Sequence, residues 1–241
     1  MTATSALRSI FRSAIAGIGL AMGAYAAYVA VTWSRYGCAT AASDDDADPL
    51  LDEFMPKYEV AERHHVRVAA PAEVTLGAAC DQDLFRLPLV RAIFRGRELI
   101  LRSAPDGQVR PRGLLAEVQS LGWGVLAEAP GREIVVGAVT KPWEANVTFR
   151  ALSPLQFATF SEPGYVKIAW TLRADPDGPD ASIFRTETRA MTNDAESRAR
   201  FRRYWAFFSP GIVLIRRLSL APLKTEAERR ARQAKSNHQT V

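Results

Sequence analysis

The sequence predicts an α+β domain, an antiparallel sheet curved around one long C-terminal helix, carried behind a single N-terminal membrane-spanning helix. Three observations predict it. Residues 13–33 contain no charged side chain, and at 1.5 Å per residue they span about 30 Å, the thickness of a bilayer core. Residues 123–191 hold a run of strand-length apolar segments, each closed by Pro, Gly or Asp turn chemistry. Finally, the stretch from Asn193 to Ser209 sets Phe201, Tyr204, Trp205 and Phe208 at i, i+3, i+4 and i+7, an aromatic stripe on a helical period.

In the N-terminal span, Tyr25 and Tyr28 are tolerable, and Trp33 stands where an interfacial aromatic belongs. Gly19-x-x-x-Gly23 offers a small-residue face for another helix. The rival reading is a cleaved signal peptide ending at Ala39-Thr40-Ala41. The apolar run exceeds a usual signal core, and Trp33, Arg35 and Tyr36 intervene, which favours an uncleaved anchor. Arg8 and Arg12 on one side against Arg35 on the other place the N-terminal tail, residues 1–12, in the cytoplasm and the domain outside.

Residues 34–56 carry Asp44-Asp45-Asp46 and read as a poorly ordered acidic linker. The folded domain is expected over 57–221. Its first strand, Tyr58 to Val68, alternates, with Val60, Glu62, His64, Val66 and Val68 on one face. Two helices follow, over 72–83 and 88–102. Leu89, Ile93, Leu99 and Ile100 form the apolar content of the second, and Arg91, Arg95, Arg97 and Arg102 its wet side. Strands are then expected over 123–128, 133–140, 147–151, 165–173 and 182–191. The final helix starts at an Asn193 cap, with Glu196 placed to complete a capping box. Pro210 either kinks that helix or starts another, and residues 222–241 read as a basic tail.

Composition narrows the function classes. Hydrophobic residues make up 48% and charged residues 24%, so the chain can build a core and is not a disordered polyelectrolyte. The net charge of +5 is uneven: residues 1–56 carry three Arg against six Asp and Glu, whereas from Asp194 onward eleven basic residues face four acidic ones. Such a segment is either a solvated helical face or one suited to anionic membrane surfaces, and no nucleic-acid-binding motif accompanies the charge. Cys38 and Cys80 form neither a CxxC nor a metal spacing, and Cys80 reads as a buried helix residue. No phosphate loop, nucleophile elbow or metal-spaced cluster is present, so neither cofactor nor metal is expected.

A strand, two helices, an antiparallel meander and a long closing helix resemble the START-like, helix-grip (SRPBCC) superfamily. The opening Val66-Arg-Val-Ala-Ala-Pro-Ala-Glu-Val74 is similar to that family's first strand running into its first helix. The closing Thr186-Glu-Thr-Arg189, Thr192-Asn-Asp194 and Phe201-x-x-Tyr204-Trp205 resemble the last strand and helix of many bacterial members. The resemblance covers roughly 57–221. It implies a helix-grip fold with an apolar cavity between sheet and closing helix. Members bind lipids, sterols, polyketides or quinones, and a minority catalyse cyclisation or hydrolysis.

With that fold, the expected cavity lining is Glu62, His64, Trp170, Glu187, Phe201, Tyr204, Trp205 and Phe208. Arg185, Glu187 and Arg189 share a strand face, either a solvated charge ladder or the cavity's polar end. Trp143 is either a cavity-mouth residue or an edge cap. Glu62 and His64 are neighbours on one strand face and, with Tyr204 as a third, are the candidates for acid–base work. The first functional expectation is a membrane-anchored, non-catalytic binder of an apolar small molecule or lipid in a bacterial plasma membrane. The second is a cyclase- or hydrolase-like enzyme using Glu62 and His64, and the third a ligand-free structural protein with a filled core.

Overall fold

The computed structural model describes residues 3–40, 42–103 and 111–239, with the side chains of residues 3–14, 85, 238 and 239 left aside. Ala41 of the cleavage pattern and the last two residues of the basic tail lie outside the described residues, as do the side chains of Arg8 and Arg12.

Helix α1 runs Ala3–Arg35, and α2 is a short turn of helix, Pro49–Asp52. Strand β1 (Val60–Val68) leads into α3 (Ala72–Cys80), α4 (Pro88–Leu101) and α5 (Leu114–Ser120). Then come β2 (Gly124–Ala129), β3 (Glu133–Thr140), β4 (Phe149–Arg150), α6 (Pro154–Thr159), β5 (Val166–Pro176) and β6 (Ser182–Thr192). The chain closes with α7, Ala195–Gln239. The sheet order is β1-β6-β5-β3-β2, all antiparallel, with β4 added beside β3.

Helix α7 is a single helix through Pro210 and Pro222, continuous with the segment read as a tail. Its second half is held by packing: Leu223, Ala227 and Ala231 are buried with Leu76 and Ala79 of α3 and with Trp170, Leu172 and Phe184 of the sheet. The start differs by one residue from expectation. Asp194, not Asn193, caps the helix, accepting from Ser197 N at 2.8 Å and also from Gly164 N at 2.6 Å. Glu196 instead pairs with Arg200 one turn on.

Both faces of the sheet are covered, and the second covering was not expected. Residues 44–55 are an ordered strap across the face away from α7, where a disordered linker was predicted. Asp48 caps α2 through Leu51 N at 2.9 Å. Leu51, Phe54 and Met55 are buried against Val135, Val139, Ala169 and Phe157 of α6. Three apolar side chains within five residues outweigh the acidic composition around them. Gly137 makes room on this face, since a Cβ there would sit 2.9 Å from the Phe157 ring. Every residue of β3 is buried as a result.

Burial of charge comes with the strap. Glu133 lies under it beside Asp48, and burial first, then the Asp48 carboxylate, pushes its carboxyl up to about 8 from an ordinary 4.5. Arg173 and Asp175 are the other charges facing it. The folded state therefore holds a proton that the unfolded chain releases. Its contribution is present below pH 4.5 and is lost as pH rises through about 8. Glu133→Gln should flatten that fall, read as urea midpoints across the window, and an unchanged slope would contradict it.

Candidate functional site

The two sheet faces divide the expected site residues. Alternation along β1 and the register Glu62↔Thr188, His64↔Thr186 and Val60↔Ala190 turn Glu62 and His64 toward α7. The two side chains approach to 3.9 Å. His64 Nε2 is buried with no hydrogen-bond partner. Burial, with Arg216 and Arg217 nearby, holds its imidazole below the usual range, while burial pushes the Glu62 carboxyl up. Both groups are thus biased toward their neutral forms.

Glu187 is a correction. It pairs across strands with Arg63, not with Glu62 or His64, and so faces the strap on the opposite side of the sheet. There Glu187 Oε1 accepts from Arg63 Nη2 and from Arg189 Nε, each at 2.7 Å. Arg189, 1% exposed, also donates to Asp52 and to Met55 O, and it lies 4.6 Å from the Tyr58 ring centroid. Arg185 reaches Asp46 at 2.8 Å. The trio read as a solvated ladder or a polar cavity end lies beneath the strap, Glu187 and Arg189 buried and bonded to each other and Arg185 half-buried on Asp46 and Asp175.

The aromatic stripe also divides. Phe201 and Trp205 are buried with Val60, Val166 and Ala190, and Phe201 packs edge-on to Tyr36 at 6.0 Å. Trp170 belongs to the packing between sheet and α7, with Arg216 stacked 4.7 Å over its ring. Phe208 turns the other way and lines open space, and Tyr204, stacked on Phe208 at 4.9 Å and on Phe201 at 6.2 Å, borders both the packed cluster and that space.

That space is a groove on the flank of α7, formed with α4, the β3–β4 connection and α1. One lobe, of about 350 Å³, is bordered by Ile93, Phe94, Ile100, Phe149, Phe208 and Ile212, among others. A second lobe, of about 570 Å³, is bordered by Leu101, Trp143, Arg200, Arg203 and Phe207. Tyr25, Ile100, Tyr204, Phe207 and Phe208 belong to both. Gly122 positions one wall: its φ of 98° lets the Phe149 carbonyl close to within 2.2 Å of where a Cβ would stand.

Helix α1 is fastened along this groove. Tyr25 Oη donates to Phe207 O at 2.8 Å, Tyr28 Oη lies 3.3 Å from Ser209 Oγ, and Arg202 donates to Trp33 O at 2.8 Å. Several groove residues were legible only in part. Ile93 and Ile100 stand out by apolar spacing, but Arg97, read as a wet residue, borders the first lobe. Tyr25 was readable only as a membrane residue. Among the described residues, no group of three or more His, Cys, Asp or Glu is placed to hold a metal ion.

No protein-family model matches the chain, and no curated protein matches it. Among solved structures, it is similar to the Zhui aromatase/cyclase of Streptomyces sp. R1128, at 17% identity over 73% of this chain and 97% of that one, with a TM-score of 0.26. A START superfamily protein from Mycobacterium smegmatis aligns at 14% identity over 72% and 98%, with a TM-score of 0.26. A conserved protein from Geobacillus kaustophilus aligns at 7% identity over 73% and 97%, with a TM-score of 0.32. At these scores the neighbours carry no weight for ligand or activity. By its own strand order, its helices after the first strand and its long closing helix against the sheet, the domain has the START-like helix-grip fold that the sequence resembles.

Proposed function

We propose that the protein binds an apolar small molecule or lipid, without catalysis, in the groove between α4, α7 and α1. One observation carries this reading: two adjoining apolar lobes run along the same stretch of α7, and a residue of the candidate membrane helix, Tyr25, borders both. Their size is that of ordinary ligand sites, about 300–1,000 Å³ with apolar walls and few polar groups. The site differs from the cavity expected under the sheet, where Trp170, Phe201 and Trp205 are packed instead. A non-catalytic role is supported by the position of Glu62 and His64, which border neither lobe.

Helix α1 serves as the anchor in this reading, crossing a bacterial plasma membrane once with the domain outside. Residues 15–35 are long and apolar enough to cross, and the exposed Leu99, Ile100, Phe207 and Leu214 near the groove would meet the lipid surface around it.

Native mass spectrometry of the detergent-extracted full chain should show copurifying apolar ligand. A cavity-filling variant makes the test specific. A Cβ at Gly96, on the groove wall in α4, would meet nothing within 4 Å. Gly96→Leu should then raise stability by about 0.5–1 kcal/mol through helix propensity while displacing the ligand. Wild-type protein that copurifies with nothing and takes up nothing from a lipid panel would refute the proposal.

A further inference from the structure

We infer that the groove's ligand is an acyl chain ending in an anionic, oxygen-bearing headgroup, drawn from the bilayer and held by Arg203, Arg200 and Trp143. This rests on the groove being a binding site, and it adds the chemistry of what binds. The two lobes differ in character. The first is walled almost wholly by apolar side chains, with Arg97 at its border. The second combines Tyr204, Phe207 and Phe208 with two guanidinium groups and an indole.

Those polar groups are all donors. Arg200 shares its charge with Glu196 one turn away, while among the described residues Arg203 forms no ion pair and stands exposed at the rim. Trp143 carries an indole N–H that is buried and has no hydrogen-bond partner. A buried donor without an acceptor is costly, and an entering oxygen would relieve that cost. Among the described residues, no carboxylate borders either lobe. A guanidinium beside an apolar wall suits a carboxylate or phosphate at the end of a chain.

The source follows from the same geometry. Tyr25 of α1 lines both lobes, and Ile100 and Phe207, shared walls of the two, are 69% and 48% exposed. With α1 in a bilayer, these residues would open the groove toward acyl chains, while Arg202, which donates to the Trp33 carbonyl, would mark the headgroup level on the same face of the helix pair.

The test uses the full chain in neutral detergent with two fluorescent probes of one chain length, an NBD-labelled fatty acid and its methyl ester. The acid should bind about tenfold tighter, the worth of one charge-assisted hydrogen bond. In the Arg200→Ala/Arg203→Ala double variant that preference should vanish, acid and ester then binding equally. Trp143→Phe should lose part of it. Because Arg200 and Arg203 are exposed, an unchanged circular dichroism spectrum is expected and checks the fold.

Equal binding of acid and ester by wild-type protein would overturn the headgroup assignment and leave the apolar site standing. If neither probe binds, the site itself falls. A preference retained by the double variant would overturn the role of the arginines. Inorganic phosphate at millimolar concentration should not displace the acid; displacement would mean a free-anion site rather than a lipid one. Nanodiscs of phosphatidylglycerol should yield copurified lipid and those of phosphatidylcholine much less, and the reverse would overturn the inference.

Discussion

Arg189→Ala should lower the unfolding free energy by about 3–5 kcal/mol, the range for breaking a buried ion pair by removing one partner. The guanidinium is 1% exposed and holds together three things: Glu187 on its own strand, Asp52 at the end of α2, and the Met55 carbonyl. Removing it leaves the Glu187 carboxylate buried with Arg63 alone, and it leaves the Met55 carbonyl without that donor. Asp52 offers the control. Its side chain is 52% exposed, so Asp52→Ala should cost less than about 1 kcal/mol. Urea denaturation of both variants decides the matter. Equal losses would mean that the network does not pin the strap.

Phe201→Ala should cost a similar amount, about 3–5 kcal/mol, as a large-to-small change in a packed core. Phe201 is 1% exposed and touches three aromatic rings, Tyr36, Tyr204 and Trp205, at centroid distances of 6.0–6.2 Å. Phe207 on the same helix is 48% exposed, and Phe207→Ala should stay within about 0.5 kcal/mol. A comparable loss at both positions, measured by thermal or urea unfolding, would show that α7 does not present Phe201 to the sheet. Since domains of this kind hold about 5–15 kcal/mol in total, either of the two large losses would be plain at the midpoint.

Periodicity made the strands legible. The expected 133–140 strand matches β3, and β1, β5 and β6 fall within a few residues of expectation. Turn chemistry at Ala129-Pro-Gly131 and Asp175-Pro-Asp-Gly178 marked their limits. Residues 147–151 shrink to the two-residue β4, because only Val139 and Thr140 remain to pair with them. Helix α5, over Leu114–Ser120, was too short to announce itself by period.

The site was less legible, for reasons of geometry. Strand alternation correctly sets Glu62 and His64 apart from Arg63, but it cannot say which partner face a residue on β6 joins. That depends on the cross-strand register, which put Glu187 opposite Arg63. The helical stripe likewise gives a face and not its neighbour. Phe201 and Trp205 went to the sheet, Phe208 to the groove and Tyr204 to the boundary, because a four-residue stripe is wide enough to straddle both. The strap was hidden by composition: its acids dominate the count, while Leu51 and Met55 do the packing. Cys80, read as buried, is half-buried at the end of α3, its thiol pushed up to about 11, chiefly by that burial.

The route of residues 36–59 also sets the domain's freedom of movement. Stretched out, the chain between Arg35 and Val60 could reach about 80 Å at 3.3–3.6 Å per residue, a leash long enough to roam. Instead it is folded down: Gly37 N donates to Glu59 O at 3.1 Å, and Met55 is tucked under Arg189. With α1 in a bilayer, the domain would ride like a float on a short mooring, one flank always turned to the lipid.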